Sequence, residues 1–211
     1  MRAAHLIPPQ LRTTTRSDPL RPAPGPPGAG CDGDGRRLEA LALGIVVLAS
    51  VGVLAWRTST IGYLWDDLVN FRQAQVEPLG LDHLLAPTSG HFAPGHRLGD
   101  WVLENLLSRS MIGARALLLA GFAVGVVLFH RILVDLARRR GAVPLVLTVL
   151  YATSVVHAHV IRWWASGLDR VPATIFSFVA ILAWLRFVRT GRRWWVALSV
   201  AALAFALLFY V

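Results

Sequence analysis

The sequence predicts an all-α, multi-pass membrane protein, and three observations carry that prediction. Hydrophobic residues make up 55% of the 211 positions and charged ones only 16%, with a mean hydropathy of +0.54. Soluble domains of this size rarely combine so much apolar sequence with so little charge. Several separate apolar runs approach the length needed to cross hydrocarbon. Every basic residue is arginine, and most arginines flank those runs. The net charge of +9 therefore reads as topology signals and headgroup contacts, and nucleic-acid binding is discounted. The absence of lysine excludes Schiff-base chemistry and any P-loop. The Arg-, Ala-, Gly-, Leu- and Val-rich composition suits a GC-rich bacterial genome.

About five spans are expected, with the N-terminus inside. Residues 1–37 form a Pro/Gly/Arg-rich tail containing Pro22-Ala-Pro-Gly-Pro-Pro-Gly28, too poor in apolar surface to fold and expected to be disordered and cytoplasmic. Cys31 stands alone, which excludes an intrachain disulfide, and no apolar segment precedes it to make a lipoprotein signal. The first span is 38–56, preceded by Arg36-Arg37 and closed by Trp56 and Arg57. The long outward loop 57–113 follows. Within it Leu64, Leu68, Phe71 and Gln75 share one helical face, as do Leu98, Trp101, Val102 and Leu106. Both stretches are expected to lie along the membrane surface. The second is not read as a span, because its two acids and an arginine would cost several kcal/mol in hydrocarbon. Keeping it interfacial also leaves Arg36-Arg37 and Arg138-Arg139-Arg140 on one side.

The remaining spans are 114–136, 142–160, 171–185 and 194–211, with Pro144 and Pro172 in the first turns of two of them. A short outward loop, 161–170, separates the third from the fourth. Arg186, Arg189, Arg192 and Arg193 form another inside turn, and Trp194-Trp195 opens the fifth span at the interface. The apolar run at the end has no polar flank, so the chain is expected to be the N-terminal part of a longer protein.

Chemistry concentrates at 63–101, where acids, histidines and turn residues converge. Adjacent carboxylates at Asp66 and Asp67 suit a division of labour: one accepts a proton from a hydroxyl nucleophile while its neighbour binds a cation or orients substrate. They point about 100° apart on a helix. The competing assignment, of equal weight, has Asp66 capping the helix and Asp67 favouring its dipole. His91 and His96 flank Pro94-Gly95, a turn able to aim both rings into one cleft. With Asp66, Asp67 or His83 they offer a loosely specified metal set, against the more ordinary reading of interfacial histidines bonded to backbone. In the second loop, Asp169 is the acid, and Arg162 and Arg170 on the outer side invite an anion such as a lipid phosphate. Headgroup snorkelling or an Asp169–Arg170 cap would explain them equally well. Trp163 and Trp164 read as interfacial anchors, and His157 and His159 as packing or pathway residues.

The order of these features resembles the GT-C superfamily of lipid-linked-sugar glycosyltransferases, which includes protein O-mannosyltransferases and bacterial aminoarabinose transferases. The resemblance covers roughly 38–211. It rests on Trp65-Asp66-Asp67 opening a long first loop, on Phe71 and Ala74 after it, on His91-Phe-Ala-Pro94, and on Asp169 beyond the third span. It implies transfer of a sugar from a polyprenyl phosphate to an acceptor hydroxyl with inversion, Asp66 being the base. Arg162 or Arg170 would steady the leaving phosphate, and Asp67, Asp169 or a histidine would orient substrate or hold a divalent cation, which members differ in requiring. The implied setting is a bacterial cytoplasmic membrane, with a glycan or protein acceptor. Members usually have about twice as many spans and a further downstream part that helps choose the acceptor. The alternative is a non-catalytic multi-pass protein: a transporter part, a scaffold or a truncated product. The near absence of ionisable residues inside the spans argues against an ion-coupled transporter.

Overall fold

The computed structural model describes residues 32–87, 92–138 and 141–209, and every element among them is an α-helix. Three helices are long and apolar enough to cross a membrane: α1 (Asp32–Thr58), α5 (Met111–Ala137) and α8 (Trp164–Thr190). The helices α6 (Ala142–Ala152) and α7 (Val155–Arg162) together make a fourth candidate, bent by 44°. The protein is thus a membrane protein with three to four candidate spans.

Helix α1 begins at Asp32 and takes in Arg36 and Arg37, so the last residues of the expected tail are helical; the rest of it lies outside the described residues. The bend between α6 and α7 follows from Thr153-Ser154. Thr153 Oγ1 donates back to the Val149 carbonyl at 2.8 Å, and His157 Nε2 donates to the Tyr151 carbonyl at 2.8 Å. Side chains that bond nearby backbone carbonyls compete with the helical ladder. The expected loop 161–170 is not a loop. Only Trp163 is extended (φ −113°, ψ 116°), and α8 then runs unbroken through Pro172. Proline there leaves the Leu168 carbonyl without its i+4 donor. The helix tolerates this because its first turns, Trp164 to Leu168, are buried against the rest of the protein. The last helix, α9 (Trp194–Leu207), has 14 residues, roughly 21 Å at 1.5 Å per residue, against a hydrocarbon core of about 30 Å.

Between α1 and α5 lie α2 (Trp65–Val76), α3 (Leu81–Leu85) and α4 (Pro94–Asn105), a shelf at the end of the bundle where α8 begins. The expected apolar faces of this shelf are split, part packed inward and part exposed. In α2 the buried residues are Asp67, Asn70, Phe71 and Ala74, while Leu64 and Leu68 are exposed. In α4 they are Gly95, His96, Arg97, Asp100 and Leu103, while Leu98 and Leu106 are exposed. Both helices present a mixed face to the protein, polar side chains beside Phe71, Ala74 and Leu103, and carry exposed leucines on the other side.

The core runs through Leu54, Phe71, Leu103, Leu118, Phe122, Val126, Trp164 and Leu168, joining shelf and spans. Close approach is built with glycine: a Cβ on Gly99 would meet Leu168 at 2.5 Å, and one on Gly167 would meet Leu118 at 2.6 Å. At the far edge of the shelf the Gly95 N–H donates to the Leu208 carbonyl at 2.8 Å. There a Cβ on Gly95 would lie 2.7 Å from the Phe209 ring, so the first turn of α4 is fastened to the end of α9.

Candidate functional site

The polar faces of α2 and α4 meet the start of α8 in one buried cluster. His96 is its centre. The ring Nδ1 lies 2.5 Å from Asp169 Oδ1 and Nε2 lies 3.0 Å from Asp100 Oδ2, with the Asn70 amide 3.0 Å from the same Nε2. His96 and Asp100 are one turn apart, so helical geometry alone sets them side by side. Asp100 Oδ1 accepts the indole N–H of Trp164 at 2.8 Å, which makes Trp164 a buried bonding partner and not the exposed interfacial anchor expected of it.

Asp67 performs the local task expected of Asp66. Its Oδ2 accepts the Leu64 N–H at 2.8 Å, reaching back over the first turn of α2. Its Oδ1 accepts the Ala165 N–H of α8 at 2.9 Å. The first turns of two helices leave backbone N–H groups without intrahelical partners, and this carboxylate serves one at each helix start. Asp66, one residue earlier, is exposed. The helical offset that sends Asp67 inward sends Asp66 out.

The electrostatics follow from the packing. Burial alone would lower the basicity of His96, but its hydrogen bonds to Asp100 and Asp169 outweigh that and push it up to about 10, so the ring is an imidazolium at neutral pH. Burial raises Asp67 above the usual carboxylate range, and the nearby Asp100 charge adds to this. The two backbone N–H groups and His96 pull in the opposite direction without cancelling it. Burial likewise takes Tyr63 up to about 12, with Asp67 adding to it, and its hydroxyl donates to the Arg109 carbonyl at 3.0 Å.

Of the residues singled out from the sequence, Asp67, His96 and Asp169 are therefore brought to one junction. Asp66, Arg162 and Arg170 are exposed around it. Arg162 lines a narrow cleft with Gly62, Tyr63 and Arg115, next to the segment that leads into α2. Arg170 lines a second cleft, of about 200 Å³, with Gly121, Gly125, Tyr151, His157 and Thr174. His91 lies outside the described residues. Among the described residues no three His, Cys, Asp or Glu side chains are arranged to hold a metal ion. Of the residues proposed for that purpose, His96 is engaged by its two aspartates and Asp67 by backbone, while Asp66 is exposed.

A second group lies under the shelf. His83 is buried with Nδ1 2.8 Å from Glu77, whose carboxylate is also 3.5 Å from the Arg97 guanidinium. Arg97 donates in addition to the Pro87 carbonyl at 2.9 Å. These contacts hold α3 and α4 together.

Sequence reasoning passed over Asn70, Asp100 and Trp164. The His96-x3-Asp100 spacing was the available signal for one of them. No family model, curated protein or solved structure matches this chain.

Proposed function

We propose that the chain transfers a sugar from a polyprenyl-phosphate donor to an acceptor hydroxyl at the outer face of a bacterial cytoplasmic membrane, as part of a GT-C-type enzyme. In this reading the N-terminus is cytoplasmic, the chain crosses about five times, and the α2–α4 shelf lies on the outer surface. The observation that carries the proposal is the division between neighbouring carboxylates. Asp67 is pinned to two helix starts, and Asp66 beside it is exposed on a helix thereby held in place. An exposed carboxylate on a rigid support is what a general base for a bulky acceptor requires.

The acceptor O–H gives its proton to Asp66 as its oxygen bonds to the anomeric carbon. The bond from that carbon to the phosphate oxygen breaks on the opposite side, inverting the centre and releasing polyprenyl phosphate. Arg162 or Arg170 neutralises the departing phosphate. Asp67 and Asp169 have positioning roles, the first through the backbone of α2 and α8, the second through His96.

The test is Asp66→Asn in the protein as expressed in its native membrane, with transfer followed from a radiolabelled polyprenyl-phosphate sugar. Transfer is expected to fall by at least about a hundredfold, the size of a general-base contribution, with insertion and thermal stability unchanged. Retention of transfer would refute the role of Asp66.

One observation favours a second reading, a non-catalytic membrane scaffold. Two of the three candidate acids, Asp67 and Asp169, are engaged in holding helices together. Under that reading Asp66→Asn is silent and only the buried variants have an effect, through stability.

A further inference from the structure

Arg162 and Arg170 are alternatives for steadying a lipid phosphate, and the space beside each separates them. The cleft at Arg162 holds about 10 Å³, about what a single water needs. The cleft at Arg170, between α5, the α6–α7 pair and α8, holds about 200 Å³. Arg170 is exposed in the second turn of α8. Its neighbour Asp169 turns instead to His96, at 2.5 Å, and Arg170 has no acid partner among the described residues. No carboxylate lines the cleft either, so this guanidinium is open to an external anion. Thr174 follows one turn along the same side of α8. The Tyr151 hydroxyl stands over Gly125, where a Cβ would lie 3.8 Å from it. Neither hydroxyl has a hydrogen-bond partner among the described residues. The remaining walls are apolar, with Phe122, Val156, Val160 and Val171.

We propose that this cleft seats a lipid monophosphate with a single narrow chain, its phosphate on Arg170 and its first carbons along Phe122, Val156 and Val171. The inference deepens the transfer reading, on which it rests for the choice of phosphate over carboxylate, and gives Arg170 alone the contact which that reading divides between two arginines. Charge selects the head: a forked guanidinium matches phosphate oxygens, and the two unpaired hydroxyls supply further donors. Placement selects a lipid over a free anion. All three walls belong to candidate spans, the α6–α7 pair included, and Val156 at the edge is 56% exposed, so the cleft is bordered by hydrocarbon. Size selects one chain. A Cβ on Gly121 would meet Val171 at 2.5 Å, so α5 and α8 touch beside the cleft and keep it narrow. Its volume lies below the rough 300–1,000 Å³ of pockets that enclose a whole small ligand. It takes a phosphate and a short length of one chain, and the rest of the chain lies in the bilayer.

The experiment is retention of farnesyl phosphate by the full chain, measured by native mass spectrometry from detergent micelles, with farnesol, inorganic phosphate and phosphatidylglycerol as competitors. The expected result is that farnesyl phosphate is retained and that none of the three displaces it at equal concentration. Arg170→Gln is expected to weaken retention by about tenfold, the size one charge-assisted hydrogen bond supports, and Arg162→Gln to leave it as it was. Val156→Trp fills the cleft from an exposed position, so retention is lost while the thermal midpoint is kept. Displacement by inorganic phosphate would make this a site for a free anion, displacement by farnesol an apolar groove, and displacement by phosphatidylglycerol a general headgroup contact; each overturns the proposal. So does an equal loss in Arg162→Gln and Arg170→Gln, or full retention by Val156→Trp. Binding is read here with no acceptor and no sugar transferred, so its failure is distinct from failure of Asp66 as the base, which is read by transfer.

Discussion

The shelf and the spans solve opposite problems with similar helices. In α5 the side packed into the protein is apolar, with Leu118, Phe122 and Val126 buried, and the outward side is apolar as well. In α4 the protein-facing side carries His96, Arg97 and Asp100 beside Leu103, and the outward side carries Leu98 and Leu106. A span buries little because lipid is as good a solvent for leucine as the protein interior is. In the shelf, polar and apolar side chains share the protein-facing side, and leucines are exposed on the other.

The strongest way to break this comparison is to remove one charge from the shelf junction. Asp100→Ala leaves the His96 imidazolium short of a buried partner and the Trp164 N–H without an acceptor. The expected loss is about 3–5 kcal/mol, seen as a sharply lower thermal midpoint in detergent. A change below 1 kcal/mol would mean that the junction is not what holds the shelf.

Overpacking comes next. Gly167→Val drives a side chain into Leu118 and toward the Val160 carbonyl, and about 1–3 kcal/mol of destabilisation is expected. The same substitution at Gly52, where a Cβ meets nothing within 4 Å, should be tolerated.

Acidity sharpens the comparison without removing an atom. His96 is held up to about 10 when folded, against 6.5 for an ordinary histidine. A raised histidine stabilises fully below its unfolded value and loses that contribution as pH climbs through the folded one. Thermal stability should therefore fall between about pH 6.5 and pH 10, and His96→Gln should flatten the profile in that window. Asp67 is also raised. A carboxyl with a raised folded value stabilises most when protonated, so its contribution grows as pH falls. Identical profiles for the two proteins from neutral to alkaline pH would remove His96 from the account.

The smallest expected effect on stability is at Asp66. Its replacement by Asn should change the thermal midpoint by no more than about 0.5 kcal/mol in equivalent free energy, in contrast to Asp67→Asn, which weakens a contact to each of two helix starts. Paired melts of the two variants separate exposed chemistry from buried support within a single dipeptide.

Much of this was legible in the sequence. Run length and arginine placement located α1, α5 and the α6–α7 pair to within a few residues, because hydrophobic length is a local property. Three things were not legible. The continuity of α8 through Pro172 depends on contacts that bury Trp164 to Leu168, which no local rule supplies. The facing of α2 and α4 was not set by periodicity, which gives the stripe and not what lies on each side: Phe71 of the α2 stripe packs inward while Leu64 and Leu68 are exposed. The junction itself joins positions as far apart as Asp67 and Ala165. From the sequence, Asp67 and His96 were related only as possible metal ligands and Asp169 only through the resemblance, whereas the fold joins His96 directly to Asp169 and to Asp100.

The attachment of Gly95 to Leu208 has a mechanical consequence. Helix α4 is anchored to α9 at its leading end and to α8 along its middle, while α8 and α9 themselves form a tightly packed antiparallel pair joined through Ser199 and Ala180. Two points of fixation on two mutually braced rods leave α4 no independent hinge. Any tilt of α8 and α9 is passed by α4 to its packing partner α2, the helix on which Asp66 stands.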